Sequence, residues 1–467
     1  MASQKSSFRS EKDALGTVKV PKEAYYGAFY TRAQKNFQIS KLRIDQEFRI
    51  ALGQVKLAAL MSNSSIGLID KKKSQAIEKA CKEFIEGKFD QSFDLDVFQA
   101  GAGTSYNMSC NEIIANRANE ILKAPKGEYS IVNPNNHVNM AQSTNDVIPT
   151  VTRMATLKMT KDLIIQSTNL EKSLQKIAAK NKNLLKVGRT HLQDAVPITL
   201  GQEFDSYKEA LIKSRKFIET TSKDLQTLGI GGTAVGTGIN THTRYKGLMI
   251  KNLSKIAKIK FSSAKNLTEI ANNMNSFMNF SSALRSLATN LLNIANDLKL
   301  MNMGPKAGLA EISLPEVQPG SSIMPGKINP SIPECLEMIC FKVLGNDHSI
   351  SLAAQRSQFE LNVMCPLIAY SLLESIEILT NGLRMFNEYC VKDIKVNIDR
   401  ISDLYAGSLV TATALAPILG YQETSNIVKT ALKKGITIRE ETALRKHLTT
   451  KKLDEALSVN RLTKPSK

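Results

Sequence analysis

Between Gly320 and Pro330 the chain reads GSSIMPGKINP. Two hydroxyls (Ser321, Ser322), one cation (Lys327) and one carboxamide (Asn329) sit in this one stretch. Its glycines allow a loop to change shape, and Pro319, Pro325 and Pro330 restrict the shapes it takes. Such a loop can close over a small anion, with Lys327 as the charge and Asn329 as a hydrogen-bonding arm. Gly, Ser and Pro also build ordinary surface loops, so composition alone leaves both readings open.

Three other stretches have similar potential. In FQAGAGTSYNM, a Gly-Ala-Gly turn leads into Thr104 and Ser105 at the start of an apolar-periodic run. This reads as a helix N-terminus with a hydroxyl cap and free N–H groups, which suits a carboxylate; plain capping is the alternative. In AQSTNDVIPT, Ser143, Thr144, Asn145 and Asp146 precede another apolar run, with Pro149 expected in the first helical turn. Two anion-receptive helix starts suggest a ligand with two carboxylates. In VGRTHLQDAVPITLGQEF, Thr190 and His191 lie between expected helices, with Gln193 and Asp194 nearby. A lone histidine in such a place is either a catalyst or a satisfied polar residue. A fourth stretch, GIGGTAVGTGIN, is glycine-rich, so its backbone must approach something closely. It lacks the lysine of a phosphate-binding loop, and no preceding strand is evident.

The elements that must hold these residues are mostly helices. Between Pro149 and Pro305 only Pro197 interrupts the chain. Leu163, Leu170, Leu174 and Ile177 form one apolar series, and Phe204, Tyr207, Leu211 and Ile218 another. Leu267, Ile270, Met274, Phe277, Leu284, Leu287, Leu291, Ile294 and Leu298 keep a three-four spacing that predicts one long helix. A helix pair is expected over 334–345 and 366–388. GTVKVP reads as a short strand ended by Pro21, and Gly87 as a helix stop. Long helices without a repeat argue for an elongated bundle rather than a solenoid. The domains expected are 1–141, mostly helical; 142–398, a long-helix bundle carrying the loop 320–330; and 399–467, a small helical domain.

The chain has 467 residues, 42% of them hydrophobic, enough for a large core in two or three domains. The formal charge of +19 comes from 62 Lys and Arg against 43 Asp and Glu. The lysines are spread along the chain, Trp is absent, and no basic cluster alternates with aromatics, so solvated lysine faces are expected rather than nucleic-acid binding. A positive field can also concentrate a dianionic substrate. No apolar run spans a bilayer, and MASQKSSFRSEKD has no apolar leader core, so a cytoplasmic protein is expected. Six scattered cysteines read as reduced, packed thiols, and five histidines show no metal-ligand spacing. No cofactor and no metal is expected.

GSSIMPGKINP resembles the signature loop of the fumarase/aspartase superfamily. GAGTSYNM, HVNMAQSTND, GRTHLQDAVPITLGQEF, GGTAVGTGIN and FELNVM are similar to family segments in the family's order. So is the opening EKDALG…VPKEAYYGA, and the resemblance covers nearly the whole chain. It implies a mainly α, three-domain subunit with a central long five-helix bundle, four subunits forming a twenty-helix core. Each site would draw on three chains: one giving Thr104 and Ser143, Thr144 and Asn145, a second Thr190 and His191, a third the loop. The reaction implied is elimination or addition across a four-carbon dicarboxylate, with fumarate as common product. Ser321, directly after Gly320, matches the family base; His191 matches a substrate-contacting histidine that pairs with a glutamate, here Glu334. Thr104, Ser143, Thr144, Asn145, Thr190, His191, Ser322, Lys327 and Asn329 are the expected substrate contacts. GAGTS, QSTND and LPEVQPGSSIMPGKINPSIPE look like the ammonia-lyase branch; the hydratase branch usually reads GSGTQ, QSSND and NPTQCE. Reversible deamination of L-aspartate is therefore expected, with malate/fumarate hydration as the alternative and a silent oligomer as the non-enzymatic one. The chain departs from the usual pattern at Gln355-Arg356-Ser357, at Cys365, where Glu is common, and at Ala310, where Asn or Gly is more usual.

Overall fold

The proline-poor middle of the chain forms long helices, as its spacing predicts. The structure is a computed structural model and describes residues 7–465. The stretch MASQKSSFRSEKD, read above for an apolar leader core, and the end of the 399–467 domain fall in part on 1–6 and 466–467, outside the described residues. Among the described residues the fold is mainly α, and the strands pair only into two-stranded ribbons. GTVKVP is a strand, paired antiparallel with Phe8–Asp13. Gly87 follows the helix Lys71–Ile85 with φ +86°. Among the described residues no single helix is long and apolar enough to cross a membrane; the bent pair Ile398–Gly407 and Ala412–Leu419 is so only jointly.

Five helices stand out by length: Thr144–Lys180, Leu200–Ser222, Asn275–Asn302, Ser331–Ala354 and Cys365–Phe386. Chain contacts divide the protein into two units, and each of the five contributes residues to both. The first unit comprises 1–163, 216–286 and 341–379. In it Asp347 accepts hydrogen bonds from Ser281 (2.7 Å) and Arg285 (2.8 Å), and Asn346 donates to Glu374 (2.8 Å). The helices Gln46–Ser65, Lys71–Ile85, Thr104–Ile121 and Tyr245–Ala257 also pack here, burying Phe48, Leu52, Val55, Ile77, Phe84 and Ile113. Each fully buried large apolar side chain contributes about 1.5–3 kcal/mol.

The second unit comprises 164–215, 287–340 and 380–467. Tyr207 donates to Asp297 (2.9 Å), Asn290 to Ser214 (2.8 Å), and Lys299 to Glu337 (2.6 Å), linking three long helices. Short helices after residue 398 share a core of Ala412, Leu415, Ile427, Ala431, Ile438, Leu453 and Ala456. All six cysteines are free, and five are buried.

Three local expectations need correction. The ridge from Leu267 to Leu298 is two helices, Leu267–Asn272 and Asn275–Asn302. Asn273 breaks it, its side-chain oxygen accepting the Asn275 N–H at 2.8 Å. An asparagine that caps a new helix outweighs an unbroken apolar period. Pro149 lies beyond the first turn of Thr144–Lys180, because that helix already starts at Thr144. A two-residue strand, Thr227–Leu228, does precede the glycine-rich stretch, paired in parallel with Ser262–Ser263.

Candidate active site

The loop from Gly320 to Pro330 is closed at its neck. Gly320 N–H donates to Lys327 O (2.8 Å), and Asn329 Nδ2 donates to Gly320 O (2.7 Å). A Cβ at Gly320 would meet Lys327 O at 2.5 Å and Asn329 N at 2.6 Å, so this closure requires glycine. Inside the loop Ser321 Oγ accepts two backbone N–H groups, from Ile323 (3.2 Å) and Met324 (3.0 Å). Ser322 and Lys327 are exposed, and their side chains have no hydrogen-bond or ion-pair partner among the described residues. The helix Ser331–Ala354 follows, with an exposed Glu334 in its first turn.

Thr190 and His191 lie in the same unit, on a β-hairpin rather than a loop between helices. Leu185–Thr190 pairs with Gln193–Thr199, and His191 and Leu192 form the tip. Both have positive φ, 55° and 61°, as a two-residue type I′ turn requires. Asn-Gly is the usual choice there; a histidine and a leucine in this region cost roughly 1–2 kcal/mol each. Strain of this kind collects at functional positions. The hairpin's base is held by charge. Lys186 Nζ lies 2.6 Å from Glu203 and 2.8 Å from Glu311, and Arg189 Nη1 lies 2.8 Å from Glu311. His191 and Glu334 make no hydrogen bond or ion pair with each other in the chain, and the His191 side chain is exposed.

The other expected contacts lie in the first unit. Ala102 (φ 59°) and Gly103 (φ 85°) turn the chain into the helix at Thr104. The expected hydroxyl cap is absent: Gly103 takes the cap position and has no side chain to offer. Its first turn is partly satisfied, since Thr104 N–H reaches Gly101 O and Tyr106 N–H donates to Gln99 Oε1 (3.2 Å). At the second helix start Ser143 Oγ does cap, accepting Asn145 N–H at 3.2 Å. Asp146 accepts from Ser143 N–H, and its other oxygen accepts from Gly231 and Thr233 N–H, all at 3.0 Å. Asn145 Nδ2 donates to Ala234 O (2.8 Å). Helix start and glycine-rich stretch are thus one construction, and burial pushes the Asp146 carboxyl up to about 6 against the three N–H groups. The close approach read from the glycines is to the chain itself: a Cβ at Gly236 would fall 2.3 Å from Thr268 N.

Sequence reasoning missed Lys56. It is 1% exposed and donates to Asn107 Oδ1, Asn139 Oδ1 and Gln142 Oε1. Asn107 Nδ2 in turn donates to Thr144 Oγ1 at 3.0 Å, joining the two helix starts. The signal was a lysine inside the apolar run VKLAALM. No group of three His, Cys, Asp or Glu side chains able to hold a metal occurs among the described residues.

Comparison with known proteins gives the chain's family. The family described as Lyase matches residues 16–345, and Fumarase C C-terminus matches 411–464. An aspartate ammonia-lyase from a Bacillus species is 44% identical over 98% of each chain. A class II fumarate hydratase from Bradyrhizobium diazoefficiens is 42% identical over 98% of this chain and 97% of its own. A Brucella melitensis structure described as a fumarate lyase:delta crystallin superposes with a TM-score of 0.94 at 41% identity, covering 98% of this chain and 100% of that one. The class II fumarase of Schistosoma mansoni gives 0.93 at 34% identity over 97% and 98%. Whole-length similarity at this level, on a chain that carries the closed serine-lysine loop and both helix starts, makes this protein a lyase of the fumarase/aspartase superfamily.

Proposed function

We propose that the chain is an aspartate ammonia-lyase that interconverts L-aspartate with fumarate and ammonia. The observation that carries the mechanism is the pair of N–H groups on Ser321 Oγ. A serine hydroxyl is a poor base unless its alkoxide is stabilised, and two backbone donors favour the charged form. Ser321 takes a proton from the carbon beside the substrate's side-chain carboxylate. The C–H electrons move onto that carboxylate as an enediolate. They return to form the C=C bond as the C–N bond breaks and ammonia leaves. Stabilising the enediolate is the main energetic task, and preorganised donors do it best. Lys327 and Asn329 supply a charge and an amide for a carboxylate; Thr104, Ser143, Thr144 and Asn145 receive the other end. Ser322 orders the loop, and Thr190 and His191 contact substrate, with Glu334 holding the imidazole.

Among the described residues the side chains of Ser322, Lys327 and His191 meet no partner, which supports a site completed by other copies. We propose a homotetramer with a twenty-helix core, three chains contributing to each site, and domains at 1–141, 142–398 and 399–467. The charge spread fits an enzyme working in the cytoplasm on a free dicarboxylate.

The second reading is a class II fumarase, favoured by the 42% identity to the Bradyrhizobium fumarate hydratase. Following fumarate absorbance with L-aspartate, then L-malate, as sole substrate separates the two. Turnover of L-malate alone overturns the ammonia-lyase assignment, and turnover of neither overturns both.

A further inference from the structure

Lys56 carries a charge in a place that normally excludes one. It lies in the helix Gln46–Ser65 between the buried Val55 and Leu57, and is itself 1% exposed. Its three donors meet three neutral oxygens: Asn107 Oδ1 at 2.6 Å, Gln142 Oε1 at 3.0 Å and Asn139 Oδ1 at 3.1 Å. An ammonium has three donors, so its hydrogen bonding is complete. Its charge, however, is bonded to no carboxylate among the described residues. Burying such a charge is costly, and replacement by an apolar side chain is usually tolerated or favourable to stability. A stability argument therefore does not explain Lys56.

The identity of its acceptors does. Asn107 is in the first turn of the helix that starts at Thr104, and its Nδ2 donates to Thr144 Oγ1 at 3.0 Å. Thr144 is the first residue of the 37-residue helix. Gln142 and Asn139 belong to the segment that leads into Ser143, and Gln142 Nε2 donates to Val138 O and Met140 O. One ammonium thus fixes both helix starts and the segment between them. The titratable groups around it are the Cys110 thiol, the Asp146 carboxyl and the Cys81 thiol. Asp146 is committed to the N–H groups of Ser143, Gly231 and Thr233.

We propose that Lys56 is the buried positioning cation of the dicarboxylate site, holding the Thr104 and Thr144 helix starts in one geometry and adding a positive field behind them. The proposal rests on the reading of those helix starts as carboxylate receptors. It does not require Lys56 to touch substrate.

The test is binding of succinate, a dicarboxylate with no group to eliminate, measured by calorimetry at pH 7 alongside steady-state kinetics and thermal melts. Lys56→Met keeps the length of the side chain and removes the charge. It should weaken succinate at least tenfold and raise KM by a similar factor, with a smaller change in kcat. A folded Lys56→Met protein whose succinate Kd stays within twofold of wild type overturns the proposal, whatever its melting temperature. Should Lys56→Met not fold, Asn107→Asp sets a carboxylate against the ammonium and cancels its field; it should also lose tenfold or more, and an unchanged Kd overturns the proposal. Succinate binding needs no turnover, so the result stands apart from whether wild type prefers L-aspartate or L-malate.

Discussion

The Lys186 ammonium lies 2.8 Å from the Glu311 carboxylate, and neither side chain is more than 2% exposed. Glu311 also holds Arg189, so one carboxylate ties down two cations of the hairpin strand Leu185–Thr190. Breaking a buried pair outright costs about 3–5 kcal/mol. Glu311→Ala leaves Lys186 with Glu203 alone, so it should lower the free energy of unfolding by less than that and reduce turnover by misplacing His191. Urea unfolding with kinetics on the folded fraction tests both effects.

Ser321 and Ser322 share a loop but only Ser321 has its oxygen held by backbone donors. Ser321→Ala should remove almost all turnover and leave succinate binding largely intact. Ser322→Ala should mainly raise KM. A lost transition-state interaction lowers kcat, whereas a lost uniform contact raises KM. Retention of more than about a tenth of wild-type turnover in Ser321→Ala, a barrier loss of only ~1.4 kcal/mol, places the base elsewhere.

Lys327→Ala should abolish detectable turnover and weaken dicarboxylate binding while circular dichroism stays unchanged. Loss of a charge-assisted contact in a closed site costs about 2–5 kcal/mol. Near-normal succinate affinity in this variant would remove Lys327 from the carboxylate clamp.

Ala310 has φ 50°, the region that glycine and asparagine adopt most readily. Its N–H donates to Met303 O (2.9 Å) and its oxygen accepts from Asn397 Nδ2 (2.8 Å), so the backbone is held there. Ala310→Gly or Ala310→Asn should stabilise the protein by about 1 kcal/mol through relief of this conformation. An unchanged or lower denaturation midpoint refutes it.

The pH dependence of succinate binding should follow Lys56. Burial lowers its pKa from 10.5 to about 8, partly opposed by the Asp146 carboxylate. Above pH 8 the site loses its buried charge, so succinate affinity should fall. The effect on folding has the opposite sign. A base whose folded pKa lies below its unfolded value leaves the unfolded state binding more protons between pH 8 and 10.5, so this group's contribution to stability rises there. Succinate has no amine to titrate. Burial puts Cys110 at about 12 and Asp146 at about 6, both clear of this window, and moves Cys81 upward. In Lys56→Met the alkaline fall in affinity should vanish.

The loop at Gly320 was legible because its chemistry is contiguous: the glycine, both serines, the lysine and the asparagine follow one another. The long helices were legible because an apolar stripe repeats over many turns, as from Leu284 to Leu298. Elsewhere distant partners decided. His191 and Leu192 form a hairpin turn without either turn-forming residue, so no local rule marks it. What makes the hairpin possible is a base pinned by Glu203 and Glu311. Thr104 looked like a cap because hydroxyls usually cap, but Gly103 at φ 85° turns the chain one residue earlier. Lys56 went unmarked, since its three oxygen partners come from residues 107, 139 and 142.

The neck between Gly320 and Lys327 has an entropic consequence. Bringing the ends of a flexible segment together costs free energy that grows slowly with its length. Here the free protein has already met that cost through Gly320 N–H on Lys327 O and Asn329 Nδ2 on Gly320 O. A ligand then has only the tip to immobilise, where Ile323 is 83% exposed. The hinge also has a defined end: whatever motion the tip undergoes, Lys327 and Asn329 start from a fixed separation. Substitutions at the tip should alter how fast the loop shuts, whereas one at Gly320 alters whether there is a loop of this shape to shut.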